Sequence, residues 1–166
     1  MGEKFRPTDL VRSTWTAAIQ HAAPVLALLV RRLERCEQRD DRNYVHSLDW
    51  RWLTEPLNNG PGESWTKPTV DLVNGETMTQ LERLFAVAEC ADGIGSKIEI
   101  TKWTFLNTDL AVHVFRIPDG DWFGFRADTN YGPDGIGTTV GTLFDEQGAI
   151  GAIQQSVLVR RRPGRT

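Results

Sequence analysis

Few side chains in this sequence combine the residue types and the spacing that common catalytic or metal-binding sites require. The three histidines, His21, His46 and His113, are far apart and not at metal-ligand spacing. His113 lies in an alternating stretch, which predicts a hydrogen-bonded core histidine. The two cysteines, Cys36 and Cys90, form no CxxC pair and are expected to be reduced thiols. The signatures GxSxG, GxxxxGKS/T, GxGxxG after a strand and HExxH are all missing, so the usual hydrolase, nucleotide and zinc motifs are not found.

The composition is that of one globular domain with an appendage. The chain has 166 residues, of which 40% are hydrophobic and 25% are charged. Its formal net charge of −3 gives no general attraction to nucleic acids. The first residues lack an apolar signal segment, and the most apolar stretch, residues 22–30, is too short to span a membrane. We therefore expect a cytoplasmic protein with no nucleic-acid partner and no membrane span.

The apolar periodicity predicts one helix followed by an antiparallel meander. Alternation predicts strands at residues 48–52 and 64–73. Thr77 is expected to cap a helix with apolar residues at helical spacing from Met78 to Ala88, which ends at Asp92 and Gly93. Further strands are predicted at residues 98–100, 103–106, 110–117, 122–129, 138–144 and 149–160. Because one apolar helix must be covered and short connections make antiparallel neighbours, we expect an α+β hotdog fold, a sheet wrapped around a central helix.

Four sequence blocks together resemble the acyl-CoA thioesterase-like double hotdog proteins, the family that includes the bacterial TesB-type enzymes. The blocks are residues 84–95 (LFAVAECADGIG), 105–116 (FLNTDLAVHVFR), 121–137 (DWFGFRADTNYGPDGIG) and 143–156 (LFDEQGAIGAIQQS). They occur in the family's order and cover most of residues 50–160. The resemblance implies that this part is the second hotdog domain of that arrangement and that the protein hydrolyses fatty acyl-CoA.

The same resemblance implies three site residues. In enzymes of this family an Asp at the end of the hotdog helix, a Thr on the next strand and a Gln on the last strand activate the attacking water. The matching positions are Asp92, Thr108 and Gln155. A carboxylate can accept the water proton while a hydroxyl and a carboxamide orient the water, so no cofactor, metal or covalent intermediate is needed. Without the resemblance, these would be interpreted as a helix-ending residue, a turn residue and a satisfied polar side chain.

The segment before residue 50 resembles only part of the family's first hotdog. Residues 20–37 (QHAAPVLALLVRRLERCE) match the helix of that domain, and most of its sheet is expected to be missing. The predicted organisation is a first-hotdog remnant with a helix and one strand (1–49), a hotdog domain (50–160) and a basic tail (161–166). An uncovered apolar helix and an unpaired sheet edge favour a homodimer. A catalytically silent acyl-CoA-binding or assembly subunit and an unstable fragment remain alternatives to the hydrolase.

Overall fold

Seven antiparallel strands form one sheet in a computed structural model that describes residues 44–73 and 75–162. A 3-10 helix (Tyr44–Ser47) precedes the strands, which are β1 (Leu48–Trp52), β2 (Gly62–Pro68), β3 (Trp103–Asn107), β4 (Ala111–Val114), β5 (Phe123–Tyr131), β6 (Ile136–Asp145) and β7 (Gly148–Arg161). Two helices, α1 (Gln80–Ala88) and α2 (Ala91–Ile94), separate β2 from β3 along the chain. The strand order is β1-β2-β5-β6-β7-β3, and β4 also pairs with β7.

The helices cover the inner face of the sheet. Leu84, Val87, Ala88 and Ala91 are fully buried, and their spacing of i, i+3, i+4 and i+7 continues one apolar stripe across the break between α1 and α2. The stripe packs against inward residues of the strands, including Phe123, Phe125, Ala127, Leu143, Ile150 and Ile153. Complete burial of a side chain such as Leu84 contributes about 1.5–3 kcal/mol. The predicted hotdog arrangement is thereby confirmed.

The helix differs from its prediction at both ends. It begins after Thr79 rather than Thr77, because Thr79 and Glu82 form a reciprocal capping box. The Thr79 backbone N–H donates to Glu82 Oε2 at 2.7 Å, and the Glu82 N–H donates to Thr79 Oγ1 at 3.3 Å. At its other end α1 is interrupted at Glu89 and Cys90, and the next helical turn, α2, contains Asp92. Asp92 therefore lies within a helical turn and does not end the helix.

Three predicted strands are shorter than expected or missing. Residues 98–100 form a bend that leads into a turn instead of a strand, and the Ser96 hydroxyl bonds both the N–H and the carbonyl of Ile98. The strand predicted at 64–73 ends at Pro68, and that predicted at 110–117 is reduced to β4. The core position predicted for His113 is wrong, since this side chain is exposed on the edge strand β4.

Residues 1–43, 74 and 163–166 lie outside the described part of the chain. The predicted first-hotdog remnant (1–49), its helix and Cys36 fall mostly or wholly in that part, so the division at residue 50 and the basic tail (161–166) stay predictions. Within the described ranges, no helix has the length and apolar character needed to cross a membrane.

Candidate active site

Asp92, in helix α2, carries a buried carboxyl group. Only 9% of the residue is exposed, and its Oδ1 accepts a hydrogen bond from the Gly93 N–H at 2.7 Å. Burial raises the pKa of Asp92 from its ordinary value of 3.8 to about 6; the Gly93 hydrogen bond opposes this shift and the charge of Glu89 adds to it. The carboxylate is therefore a stronger base than an exposed aspartate and is ionised above about pH 6.

Gln155 presents a buried acceptor without a partner. The side chain lies on β7 with no exposed surface, and its Nε2 donates to the Glu89 carbonyl at 3.0 Å. Because a carbonyl can only accept, this contact fixes the orientation of the amide. It leaves Gln155 Oε1 buried with no hydrogen-bond partner. A buried acceptor that makes no hydrogen bond costs about 1–3 kcal/mol of folding free energy. This position therefore favours the binding of a donor such as water.

Three inward side chains on neighbouring strands form a polar row under the helices, consisting of Thr129, Thr139 and Gln155. Thr129 is the cross-strand partner of Thr139, and Thr139 is the partner of Gln155. All three are fully buried. Thr129 Oγ1 lies 2.8 Å from Thr139 Oγ1 and donates to the Asp92 carbonyl at 3.1 Å. The polar row therefore links Asp92 on α2 with Gln155 on β7.

Two glycines allow α2 to lie directly on the strand backbones. A Cβ at Gly62 would overlap the carbonyl oxygen of Ile94. A Cβ at Gly95 would lie 2.8 Å from both the Ala127 carbonyl oxygen and Thr129 Oγ1. The Thr129 N–H also donates to the Gly95 carbonyl at 3.2 Å. This close approach brings the Asp92 turn against β2 and β5.

Thr108 lies outside the buried cluster. It is exposed, and both its N–H and its hydroxyl donate to the Ser156 carbonyl, at 2.8 and 3.3 Å. Asp109 binds the N–H and the hydroxyl of Ser156 at 2.7 Å each, which separates β3 from β4. Since Ser156 follows Gln155, Thr108 is a neighbour of the cluster along the sheet. The structure thus connects the Asp92 backbone and Gln155 to the same polar row, and it leaves Thr108 exposed and bonded to Ser156.

Thr129 and Thr139 were not predicted as site residues from the sequence. The sequence signal that could have identified them is a hydroxyl residue at an inward position of each of two strands with alternating apolar residues. Cys90, next to the site, is an unsuitable nucleophile, because burial raises the pKa of its thiol to about 12. Cys90 is therefore not a thiolate at neutral pH, and the basic group of the cluster is the Asp92 carboxylate.

Comparison with known proteins gives one family and one fold. Residues 21–159 match the family model of the acyl-CoA thioesterase C-terminal domain, a match that extends into the segment before residue 50. A thioesterase from Haemophilus influenzae is similar in structure, with a TM-score of 0.55 and 16% identity over 75% of this chain and 87% of that one. A search of curated sequences gave no match.

Two TesB-type structures are also similar. An acyl-CoA thioesterase II from Mycobacterium marinum has a TM-score of 0.53 and 19% identity, covering 78% of this chain and 56% of its own. The tesB protein of Mycobacterium avium subspecies paratuberculosis has a TM-score of 0.52 and 12% identity, covering 79% and 57%. At these identities the likeness concerns the fold, and this chain spans little more than half the length of either protein.

Proposed function

We propose, since this chain belongs to the acyl-CoA thioesterase C-terminal domain family, that it hydrolyses fatty acyl-CoA thioesters to the free acid and CoA. The observation that carries the proposal is the buried cluster in which Asp92 has a raised pKa and Gln155 Oε1 has no partner. In this proposal one water molecule donates one hydrogen to Asp92 and the other to Gln155 Oε1. Such a water would be both oriented and polarised for attack.

The reaction then follows from the chemistry of these groups. The Asp92 carboxylate accepts a proton as the water oxygen attacks the thioester carbonyl carbon. Gln155 Oε1 holds the second hydrogen and so directs the water's lone pair towards that carbon. The carbon–sulfur bond breaks, and the proton on Asp92 passes to the leaving thiolate. The products are a carboxylic acid and the CoA thiol, and no covalent enzyme intermediate forms.

Thr108 is proposed to contact the substrate at the entrance rather than the water inside the cluster. Its hydroxyl is solvent-exposed beside Ser156, one residue from Gln155. A hydroxyl that already donates to a carbonyl still has acceptor capacity. It can therefore accept a hydrogen bond from an amide of the CoA arm.

A homodimer is part of the proposal. The outer strands β3 and β4 lie at one end of the described sheet, and Leu106 and Phe115 there are 56% and 73% exposed. Apolar residues along a sheet edge favour association with a second copy. Such a dimer would act on the soluble acyl-CoA of the cytoplasm. Light scattering coupled to size-exclusion chromatography tests the dimer, and a monomer that retains full activity contradicts it.

Thiol release from a panel of acyl-CoAs tests the hydrolase directly. We expect Asp92→Ala to lower kcat by about 10²–10⁴-fold, because the general base is lost. Gln155→Leu is expected to lower kcat while the protein still folds. Glu146→Gln, a change of an exposed carboxylate in the β6–β7 turn, is the matched control and should leave kcat unchanged.

Two outcomes would contradict the hydrolase. If the Asp92→Ala variant has wild-type turnover, the Asp92 carboxylate is not part of the mechanism. A folded wild-type protein that binds acyl-CoA by calorimetry but releases no thiol supports the silent binding subunit instead.

A further inference from the structure

Building on the hydrolase function, we propose that Thr129 and Thr139 are positioning residues, which hold the Asp92 turn on the sheet and thereby align Asp92 with Gln155. Neither threonine is expected to touch the substrate or the attacking water. Their role is to fix the backbone that carries the base.

The hydrogen bonds between these groups have one possible direction. The Asp92 carbonyl can only accept, so the single hydroxyl hydrogen of Thr129 is used in that 3.1 Å contact. The 2.8 Å contact between the two hydroxyls must then be a donation from Thr139 to Thr129. A directed chain therefore runs from Thr139 through Thr129 to the carbonyl of Asp92. Each link orients the next one.

The Asp92 turn needs this support because it has little of its own. Helix α2 is four residues long, and its N-cap residue Cys90 makes no side-chain capping bond. A single helical turn is not stable without tertiary contacts. The segment from Glu89 to Asp92 is instead held at two carbonyls, that of Glu89 by Gln155 and that of Asp92 by Thr129. Both contacts come from the polar row.

The polar row also explains how the two side chains that hold the Glu89–Asp92 segment, Thr129 and Gln155, keep a fixed spacing. Thr139 lies between Thr129 and Gln155 in the cross-strand pairing of β5, β6 and β7. The sheet therefore sets the spacing of the two side chains that reach the helical segment. A displacement of about 1 Å of a reacting group can reduce turnover by about 10²-fold.

The test compares Thr129→Val, which keeps the side-chain shape without the hydroxyl, with Thr129→Ser, which keeps the hydroxyl. Thr139→Val removes the first donor of the chain, and Thr142→Val on the same strand, whose hydroxyl makes no hydrogen bond within the described residues, is the control. We expect Thr129→Val to lower kcat by about 10–100-fold with KM changed by less than about 2-fold. Thr129→Ser is expected to stay within about 3-fold of wild type, and Thr139→Val to fall between the two.

The second readout is the titration of the Asp92 carboxyl by ¹³C NMR, which does not depend on turnover. Glu89, Cys90 and Tyr131 are the titratable groups that interact with Asp92. When the turn loosens, water reaches the carboxyl, so Thr129→Val should bring the Asp92 pKa down from about 6 towards 3.8. Thr129→Ser and Thr142→Val should leave it in place.

These readouts separate the two proposals. Absence of thiol release by the wild type refutes the hydrolase, and the NMR titration still tests the positioning role. Wild-type kcat and an unchanged Asp92 titration in Thr129→Val overturn that role, as does a serine variant as impaired as the valine one. If Thr129→Val does not fold, Thr139→Val is the second test: it keeps the bond from Thr129 to the Asp92 carbonyl and removes only the donor that orients Thr129, so wild-type kcat and an unchanged Asp92 titration in that variant overturn the positioning role.

Discussion

Replacing Asp92 by Asn should make the protein more stable above neutral pH while it removes the proposed base. The folded state holds the proton of Asp92 more tightly than the unfolded state, because burial raises its pKa from 3.8 to about 6. As the pH rises from about 3.8 to about 6, the unfolded state loses this proton before the folded state does, so the free energy of unfolding falls. Each pKa unit corresponds to about 1.4 kcal/mol, so the ionised carboxyl costs up to about 3 kcal/mol at pH 8 and less than about 1 kcal/mol at pH 4.

The asparagine variant has no charge to desolvate and keeps an oxygen for the Gly93 N–H. Its free energy of unfolding should exceed that of wild type by up to about 3 kcal/mol at pH 8, with little difference at pH 4. Urea denaturation at both pH values measures this, with Asp134→Asn in the exposed β5–β6 turn as the control. If Asp92→Asn raised the free energy of unfolding equally at both pH values, or lowered it at pH 8, the reasoning from desolvation would be refuted.

Further predictions concern the pH profile and two structural contacts. The kcat/KM for thioester hydrolysis should rise about tenfold per pH unit below about pH 6 and then level off, since Asp92 must be ionised to act; a profile without this step would exclude Asp92 as the base. Arg116→Ala should lower the melting temperature, because it leaves the Asp145 carboxylate with its two backbone N–H donors but without its ion-pair partner; thermal unfolding at neutral pH would show this. Gly62→Ala should cost about 1–3 kcal/mol, because its methyl group overlaps the backbone of α2, whereas Gly60→Ala should be nearly neutral.

Much of the sheet could be predicted because its signals are local. Residues 122–129, 138–144 and 149–160 alternate and are separated by turns, and β5, β6 and β7 lie where expected. In the turn before β6, Gly135 has a φ of 77°, a conformation that glycine adopts without strain. The strand expected at 98–100 failed because the Ser96 hydroxyl competes for the backbone of Ile98. Apolar alternation alone does not report that competition.

The site was harder to predict than the fold. The resemblance supplied Asp92, Thr108 and Gln155, yet it did not indicate that Thr108 would be exposed and bonded to Ser156. The proposed roles of Thr129 and Thr139 depend on the strand register, because a slip of one residue would turn both side chains to the other face of the sheet. The free oxygen of Gln155 depends on a carbonyl 66 positions earlier in the chain. Contacts of this kind arise only once the sheet and the helices have packed.

The interruption between β3 and β4 limits the addition of further strands at this edge of the sheet. An uninterrupted outer strand is a template on which further chains can add without end. Here Asp109 turns its carboxylate onto Ser156 and divides the edge into segments of five and four residues. A charged residue at that break prevents a long intermolecular ladder from continuing through it. An edge divided in this way is compatible with the closed dimer proposed above and resists growth into fibrils.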